Sequence, residues 1–119
     1  MMKKILSAVI ICVLLISSVL VLASCTKKVT IKEWLDNEGA CGDDFTVTVK
    51  VVTLINPYYA LVNDSTGSVL LFGLWEDGEP KAFAEKDIAE GDTIVLHNPV
   101  YNVYEDNVEM IQGTLVKKK

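Results

Sequence analysis

The chain has 119 residues, half of them apolar, with three cysteines and a formal net charge of −5. This length suffices for one small domain with a single hydrophobic core and is too short for two. The acidic balance weighs against nucleic acid as a partner, because nucleic-acid-binding domains carry an excess of positive charge.

The first 24 residues have the layout of a secretory signal. Lys3 and Lys4 precede an almost wholly apolar run over residues 5–22, and the sequence LASC follows at residues 22–25. A charged start before an apolar stretch is typical of an export signal. A run of this length also fits an uncleaved transmembrane anchor, and in both cases the positive end stays cytoplasmic.

The LASC sequence resembles the lipobox of bacterial lipoproteins. The resemblance implies that Cys25 is joined to diacylglycerol and becomes the first residue of the mature protein, which is then held outside the cytoplasm on the bacterial cell membrane. We expect a signal peptide over residues 1–24, a lipidated tether over 25–29, one folded domain over 30–116 and a basic tail over 117–119. Several acyl chains anchor a protein more firmly than one.

Removal of the signal changes the composition. The remaining 95 residues contain nine lysines, no arginine and sixteen carboxylates, so the formal charge of the mature protein is about −7. Cys12 leaves with the signal and Cys25 is acylated, so Cys41 has no partner for an intramolecular disulfide. We expect Cys41 to be a small, partly buried apolar group rather than a reactive thiol.

The mature chain begins with a predicted short helix and a predicted strand. Thr30 and Glu33 form a capping box, Trp34 lies at helical spacing within the segment, and Gly39 ends it. Apolar and polar residues then alternate from Phe45 to about residue 52, the period of a half-buried strand. Asn56 and Pro57 break this strand.

A hairpin, a short helix and two more strands are predicted next. Residues 58–63 and 69–74 form strands joined by a turn at 64–67, in which glycine supplies the positive backbone angle. Residues 76–79 form a loop, and Pro80 begins a helix that runs to about residue 86. The fourth strand covers residues 93–103 with an interruption at Asn98 and Pro99, because proline cannot donate to the sheet. The fifth covers residues 108–116.

Five short strands with few apolar positions favour one coiled barrel over two packed sheets. The segments TIKEWLDNEG, TVTVKVVTLI, YYALVNDSTGSVLLF and IAEGDTIVL, in this order, resemble the OB-fold domains of secreted bacterial proteins and surface nucleases. The resemblance implies a single five-stranded OB-fold barrel with a short N-terminal helix and a short helix between strands three and four. Lys50 and Asn98-Pro99 stand where that family often has glycines, which permit sharp coiling.

The OB resemblance implies a ligand face across the second and third strands, flanked by the loops that join strands one to two and strands four to five. The expected register sends Ala60, Val62, Val69 and Leu71 inward. The predicted ligand-binding face consists of outward side chains and two loop tyrosines: Tyr59, Leu61, Leu70, Phe72, Tyr101 and Tyr104. Such a face can stack on bases or sugar rings.

Two alternatives to an open ligand face stay open. The N-terminal helix, through Trp34 and Leu35, or the segment around Trp75 and Phe83, can cover the outward patch as a second small core. A one-residue slip in the register would exchange the inward and outward side chains.

These patterns indicate a non-catalytic binding module without cofactor or metal. The ligand classes are single-stranded nucleic acid and oligosaccharide, and the alternative function is a protein-interaction or envelope-stabilising adaptor. Only Lys50 and Lys81 are expected near the face, which disfavours phosphate binding. His97 has no nucleophile or metal partner at usable spacing. The acidic pairs Asp43-Asp44 and Asp77, Glu79 do not follow calcium-loop spacing.

Overall fold

The computed structural model of the protein describes residues 26–119. The predicted signal peptide and the predicted lipid-attachment residue Cys25 lie outside the described residues. Within the described range, no helix is both long enough and apolar enough to cross a membrane.

Residues 26–119 form mainly β-structure. The strands are β1 (Lys27–Val29), β2 (Phe45–Asn56), β3 (Tyr59–Asp64), β4 (Gly67–Phe72), β5 (Leu74–Glu76), β6 (Glu79–Lys81), β7 (Thr93–His97), β8 (Val100–Tyr104), β9 (Asn107–Ile111) and β10 (Thr114–Lys118). One α-helix, α1 (Ile31–Asp36), and one 3-10 turn, Phe83–Lys86, accompany them.

Eight of these strands belong to one sheet. Hydrogen bonds connect them in the order β10-β7-β2-β3-β4-β9-β8, β1 pairs in parallel with β2, and β5 and β6 form a separate hairpin. The β4–β9 pair is also parallel. The order is open at β10 and β8, so hydrogen bonding does not close the sheet into the five-stranded barrel that the resemblance implied.

The break that keeps the order open lies at Asn98 and Pro99. Asn98 has a left-handed backbone with φ of 48°, and proline has no N–H to donate. The predicted fourth strand is therefore divided into β7, which pairs with β2, and β8, which pairs with β9. The predicted interruption of this strand is confirmed.

Two further predicted elements differ from the structure. The expected fifth strand is divided into β9 and β10, because Gln112 adopts a φ of 57° between them. The helix expected from Pro80 is wrong at its start, since Pro80 lies in β6 opposite Trp75. That hairpin occupies the predicted loop at residues 76–79 and leaves only the 3-10 turn as helical structure.

Both expected ends of the domain also take part in the sheet. The predicted tether contains β1, whose three residues pair with residues 45–47 of β2. The predicted basic tail contributes Lys117 and Lys118 to β10, where they pair with Val95 and Ile94 of β7. The sheet thus extends beyond residues 30–116 at each end.

Helix α1 forms where the capping box predicts it. The Thr30 hydroxyl accepts from the Glu33 backbone N–H at 3.1 Å, and the Glu33 carboxylate accepts from the Thr30 backbone N–H at 2.9 Å. Ile31 and Trp34 are fully buried. The indole Nε1 of Trp34 donates to the Pro99 carbonyl at 3.0 Å, so α1 packs against the chain at the break between β7 and β8.

Asp64 joins α1 to the β3–β4 turn. Its carboxylate accepts hydrogen bonds from the backbone N–H of Ile31 at 2.9 Å, of Thr66 at 2.7 Å and of Gly67 at 3.1 Å. Burial opposes ionisation of Asp64, but these hydrogen bonds and that of the Thr66 hydroxyl outweigh it, and the pKa of Asp64 is lowered. The helix is thereby fixed at the turn end of the hairpin.

One continuous hydrophobic core fills the interior. Its buried residues begin at Val29, end at Met110, and include side chains from α1, the 3-10 turn and most strands of the large sheet. The inward positions expected on the hairpin are confirmed, with Ala60, Val62 and Leu71 fully buried and Val69 nearly so. Residues 26–119 therefore contain a continuous core of their own, and we expect this fragment to fold.

Candidate functional site

A cleft of about 470 Å³ lies on the outer side of the large sheet, where the β5–β6 hairpin stands beside it. Strands β3, β4, β8 and β9 supply most of its walls. The lining residues are Tyr59, Phe72, Trp75, Pro80, Asn102, Tyr104, Glu109, Ile111 and Gln112. The lining combines aromatic rings with a few polar groups, the usual composition of a small-molecule site.

Strand register places these side chains on the outer face. Tyr59 pairs with Phe72 across β3 and β4, and Glu109 pairs with Leu70 of β4 and with Asn102 of β8. Because side chains directly opposite each other share a face of the sheet, these positions all point away from the core. The pairing of β3 with β4, of β4 with β9 and of β9 with β8 therefore brings the cleft side chains of these four strands to the same face.

The aromatic wall is built around Phe72. Its ring centroid lies 4.9 Å from that of Tyr59 and 6.1 Å from that of Tyr58, in tilted arrangements. Gly73 follows with a φ of 56°, and a Cβ at this position would approach Pro80 to 3.1 Å and the Lys81 carbonyl oxygen to 3.2 Å. Glycine therefore permits the close turn from β4 into β5 that brings Trp75 to the cleft.

Glu109 is the one buried charged residue among those described, with 5% of its surface exposed. Its carboxylate accepts from the Tyr59 hydroxyl at 2.7 Å and from the Asn102 side-chain amide at 2.8 Å. A carboxylate has about four lone-pair sites. Two acceptor sites of Glu109 are therefore left after its two hydrogen bonds to the protein.

The Glu109 carboxylate holds the neighbouring phenol in its protonated form. The hydrogen bond to Glu109 raises the pKa of Tyr59 from 10.0 to about 12, and burial and the negative charge of Glu109 act in the same direction. The phenol donates to the carboxylate, and a hydrogen bond of this kind stabilises the neutral donor. Tyr59 is thus a fixed donor to Glu109 throughout the physiological range of pH.

Among residues 26–119, no lysine lines the cleft. Lys81, which was expected near the face, forms an ion pair with Glu79 at 2.7 Å. Among residues 26–119, Glu109 takes part in no ion pair. The negative charge of the cleft is therefore balanced only by neutral donors.

The structure brings three of the six predicted face residues together in this cleft, namely Tyr59, Phe72 and Tyr104. Leu61 and Leu70 lie opposite each other on the same outer face and are half-buried, outside the cleft lining. Tyr101 instead lies on the core side, with its ring 5.4 Å from that of Trp34. The reason is its pairing with the buried Met110, which places it on the inner face of β8.

Of the two segments that were candidates to cover this face, the N-terminal helix does not reach it in the described part of the chain, whereas the segment around Trp75 borders it. Trp34 and Phe83 are buried in the main core. Leu35 packs against that same core from α1. Trp75 reaches the outer side, where it lines the cleft.

Sequence reasoning missed the polar side of the cleft, formed by Glu109, Asn102 and Gln112. Glu109 and Asn102 face outward because β8 and β9 pair in a register that begins at the turn over residues 105–106. The hairpin signal around this turn predicts their shared face. Their approach to Tyr59 depends on the parallel β4–β9 pair, for which no local pattern exists.

The other candidate residues form no comparable site. His97 contacts Asp44, and within residues 26–119 no group of three or more histidine, cysteine, aspartate or glutamate side chains is arranged to hold a metal ion. Cys41 is buried and free of a disulfide, and burial raises the pKa of its thiol. A raised pKa lowers the thiolate fraction, so Cys41 lacks the character of a reactive cysteine.

No protein-family model matches the chain, and a search of the curated proteins returns no significant match. The choice between single-stranded nucleic acid and oligosaccharide as the ligand therefore rests on the side chains that line the cleft.

Proposed function

We propose that the protein is an extracytoplasmic lipoprotein whose folded part binds oligosaccharide, without catalysis, in the cleft around Glu109. The single observation that carries the ligand class is a buried carboxylate with spare acceptor sites among aromatic rings. Anchoring rests on the lipobox-like sequence at residues 22–25 and on Cys25 as the acylated residue.

The fold that we propose for this module is an OB-type barrel. Strands β2, β3, β4 and β9 follow one another in the sheet, and the segment over residues 93–104 contacts both ends of that series. Its first half, β7, pairs with β2, and its second half, β8, pairs with β9. Continuity of the chain through Asn98 and Pro99 would close the ring where hydrogen bonds do not.

Sugar chemistry matches both parts of the cleft. The apolar face of a pyranose ring stacks on aromatic side chains such as Tyr59, Trp75 and Tyr104. Sugar hydroxyls are donors, and the free acceptor sites of Glu109 can receive them. Asn102 and Gln112 add amide groups that both donate and accept. A ligand rich in hydroxyl groups therefore satisfies the cleft without bringing its own charge.

The same features disfavour a nucleic acid. Grooves for single strands combine stacking rings with lysine or arginine, which displace counterions from phosphate. Here the rings surround a carboxylate, and the part of the lining that the structure describes lacks lysine. A phosphodiester in this cleft would face the Glu109 charge at close range, where low solvent content strengthens repulsion.

The alternative function, a protein adaptor, is favoured by the edge strand β8. It ends the hydrogen-bonded order, and Val103 and Tyr104 are 56% and 58% exposed. An extended segment of a partner protein could add to this edge as a further strand.

Titration calorimetry on residues 26–119 tests the proposal, with soluble cell-wall glycan fragments and mixed single-stranded oligonucleotides as probes. We expect glycan binding that changes little with added salt. Glu109→Gln should weaken it about tenfold, since a hydrogen bond to a charged group contributes about 1.5–3 kcal/mol and the amide keeps one acceptor. Glu105→Gln is the matched control, because it removes the same charge from the exposed turn between β8 and β9.

Two outcomes would contradict oligosaccharide binding. Oligonucleotide binding that falls steeply with salt and strengthens in Glu109→Gln would assign the cleft to nucleic acid. Lack of binding with both probes would favour the adaptor, and capture of envelope proteins by the intact lipoprotein would then be compared with capture after charged substitutions at Val103 and Tyr104.

A further inference from the structure

Lysines from the two ends of the described chain meet on one face of the sheet. Strand β1 lies beside β2, and β10 lies beside β7, so residues some 90 positions apart in sequence line a common groove of about 360 Å³. The groove residues are Thr26, Lys28, Thr46, Thr48, Val95, His97, Val116, Lys117 and Lys119. A protein that is acidic overall thus carries a local basic groove.

The groove lysines form no ion pair, a property that they share with Lys27 and Lys50 and that separates them from the four other lysines of residues 26–119. Lys118 donates to the Asp87 carbonyl at 2.8 Å and lies 3.6 Å from the Asp92 carboxylate. Lys32, Lys81 and Lys86 each pair with a carboxylate. In the described part of the chain no ion pair involves Lys28, Lys117 or Lys119. Their charge is therefore available to an external anion.

We propose that this basic groove docks on the anionic lipid headgroups of the membrane that holds the protein. The proposal rests on acylation of Cys25. Thr26, the residue that follows Cys25 in the sequence, lines the groove, so an acyl group on Cys25 would be attached one residue away from the groove lining. Each lysine near an anionic surface contributes about 1 kcal/mol, an effect that fades within a Debye length.

Docking through this groove sets the orientation of the domain. The groove lies on β1, β2, β7 and β10, whereas the cleft lies on β3, β4, β8, β9 and the β5–β6 hairpin. The two surfaces share no lining residue. The membrane would therefore hold one side of the domain and leave the cleft accessible to glycans of the envelope.

Paramagnetic broadening in nanodiscs tests the docking. The fragment over residues 25–119, with Cys41→Ala so that a single thiol reacts, is coupled through Cys25 to a maleimide lipid. A small fraction of gadolinium-chelating lipid is added to the disc. In discs that contain phosphatidylglycerol, we expect broadened methyl signals for Val95, Val116 and Thr48, with those of Ile111 and Leu70 retained. Phosphatidylcholine discs or high salt should remove this pattern.

Matched triple variants decide whether the groove lysines are responsible. Lys28→Gln, Lys117→Gln and Lys119→Gln together should abolish the selective broadening, with a loss on the order of 100-fold in the ratio of docked to undocked domain, about fivefold for each lysine. Lys32→Gln, Lys81→Gln and Lys86→Gln remove the same number of lysine charges outside the groove and should leave it unchanged.

Equal loss in both triple variants, the same pattern in phosphatidylcholine discs, or stronger broadening at Ile111 than at Val116 would overturn the docking. Because the lipid is attached chemically, the result does not depend on processing of Cys25 in cells. Glycan binding by the groove variant, measured separately, reports on the cleft alone.

Discussion

Glu109 and Tyr59 are the residues in which the chemistry of the cleft is concentrated. A charged carboxylate with little solvent contact is costly unless hydrogen bonds replace its lost hydration. Tyr59 and Asn102 replace part of it, at 2.7 Å and 2.8 Å. The unused acceptor sites of Glu109 remain for a ligand that offers hydroxyl donors. Strongly perturbed ionisable groups in a cleft are characteristic of functional sites.

The Tyr59–Glu109 hydrogen bond makes a direct prediction about alkaline pH. The pKa of Tyr59 is raised in the folded protein from 10.0 to about 12. A raised pKa means that the contribution of Tyr59 to stability is complete below pH 10 and is lost as the pH rises toward 12. Ultraviolet titration of the phenolates, with Tyr59→Phe to identify the signal, measures this pKa.

The Glu109→Gln variant supplies the comparison for that titration. Its amide is neutral, so the Tyr59 pKa should return toward 10. An unchanged Tyr59 titration in Glu109→Gln would show that the carboxylate does not hold the phenol.

At the scale of the elements, Asn98 decides how the segment over residues 93–104 is divided between two partner strands. Its side-chain oxygen accepts from the Phe45 backbone N–H at 2.9 Å, and its side-chain amide donates to the Asp43 carbonyl at 3.2 Å. These bonds hold the start of β2 against the end of β7. The left-handed φ of 48° at Asn98 suits asparagine better than most residues.

Replacement of Asn98 should therefore destabilise the fold in two separable ways. Asn98→Ala loses both side-chain bonds and puts alanine, which tolerates the left-handed region less well than asparagine, at a φ of 48°, so we expect a loss of about 2–4 kcal/mol in the free energy of unfolding. Asn98→Gly loses the bonds alone and should cost about 1 kcal/mol less. Urea denaturation measures both. Equal stability of wild type and Asn98→Ala would show that Asn98 does not fix this junction.

Local patterns in the sequence predict the elements whose cause is local. The capping box of Thr30 and Glu33 predicts α1, alternation predicts the inward side of the β3–β4 hairpin, and Pro99 predicts the interruption after β7. The parallel pairing of β4 with β9 has no such local cause. Glu109 therefore could not be placed beside Tyr59 from sequence, although its outward position on β9 follows from the β8–β9 turn.

Two predicted element boundaries were wrong at residues other than glycine that have a positive φ, Gln112 and Asp77. Gln112, with φ of 57°, divides the expected fifth strand, and no composition signal marks it. Asp77 and Gly78 form the turn of the β5–β6 hairpin, which the sequence predicted only as a loop. That hairpin brings Trp75 to the cleft. Because the hairpin was not predicted, Trp75 was not predicted to line the site.

At the scale of the whole molecule, the described domain presents two chemically different surfaces. One is the aromatic cleft with a buried negative charge, and the other is the groove with three lysines that no carboxylate in the described part neutralises. The groove lies on β1, β2, β7 and β10 of the large sheet, and the cleft lies on β3, β4, β8 and β9 of that sheet together with the separate β5–β6 hairpin. We propose that the groove docks on the membrane and that the cleft binds oligosaccharide.

The most direct test of this assignment is an NMR titration of isotopically labelled residues 26–119 with cell-wall glycan fragments at low salt. We predict amide shifts that saturate and that are confined to β3, β4, β8 and β9 around Glu109, with β1, β2, β7 and β10 unaffected. Shifts confined to the groove strands, or no shifts at any glycan concentration, would contradict oligosaccharide binding in the cleft.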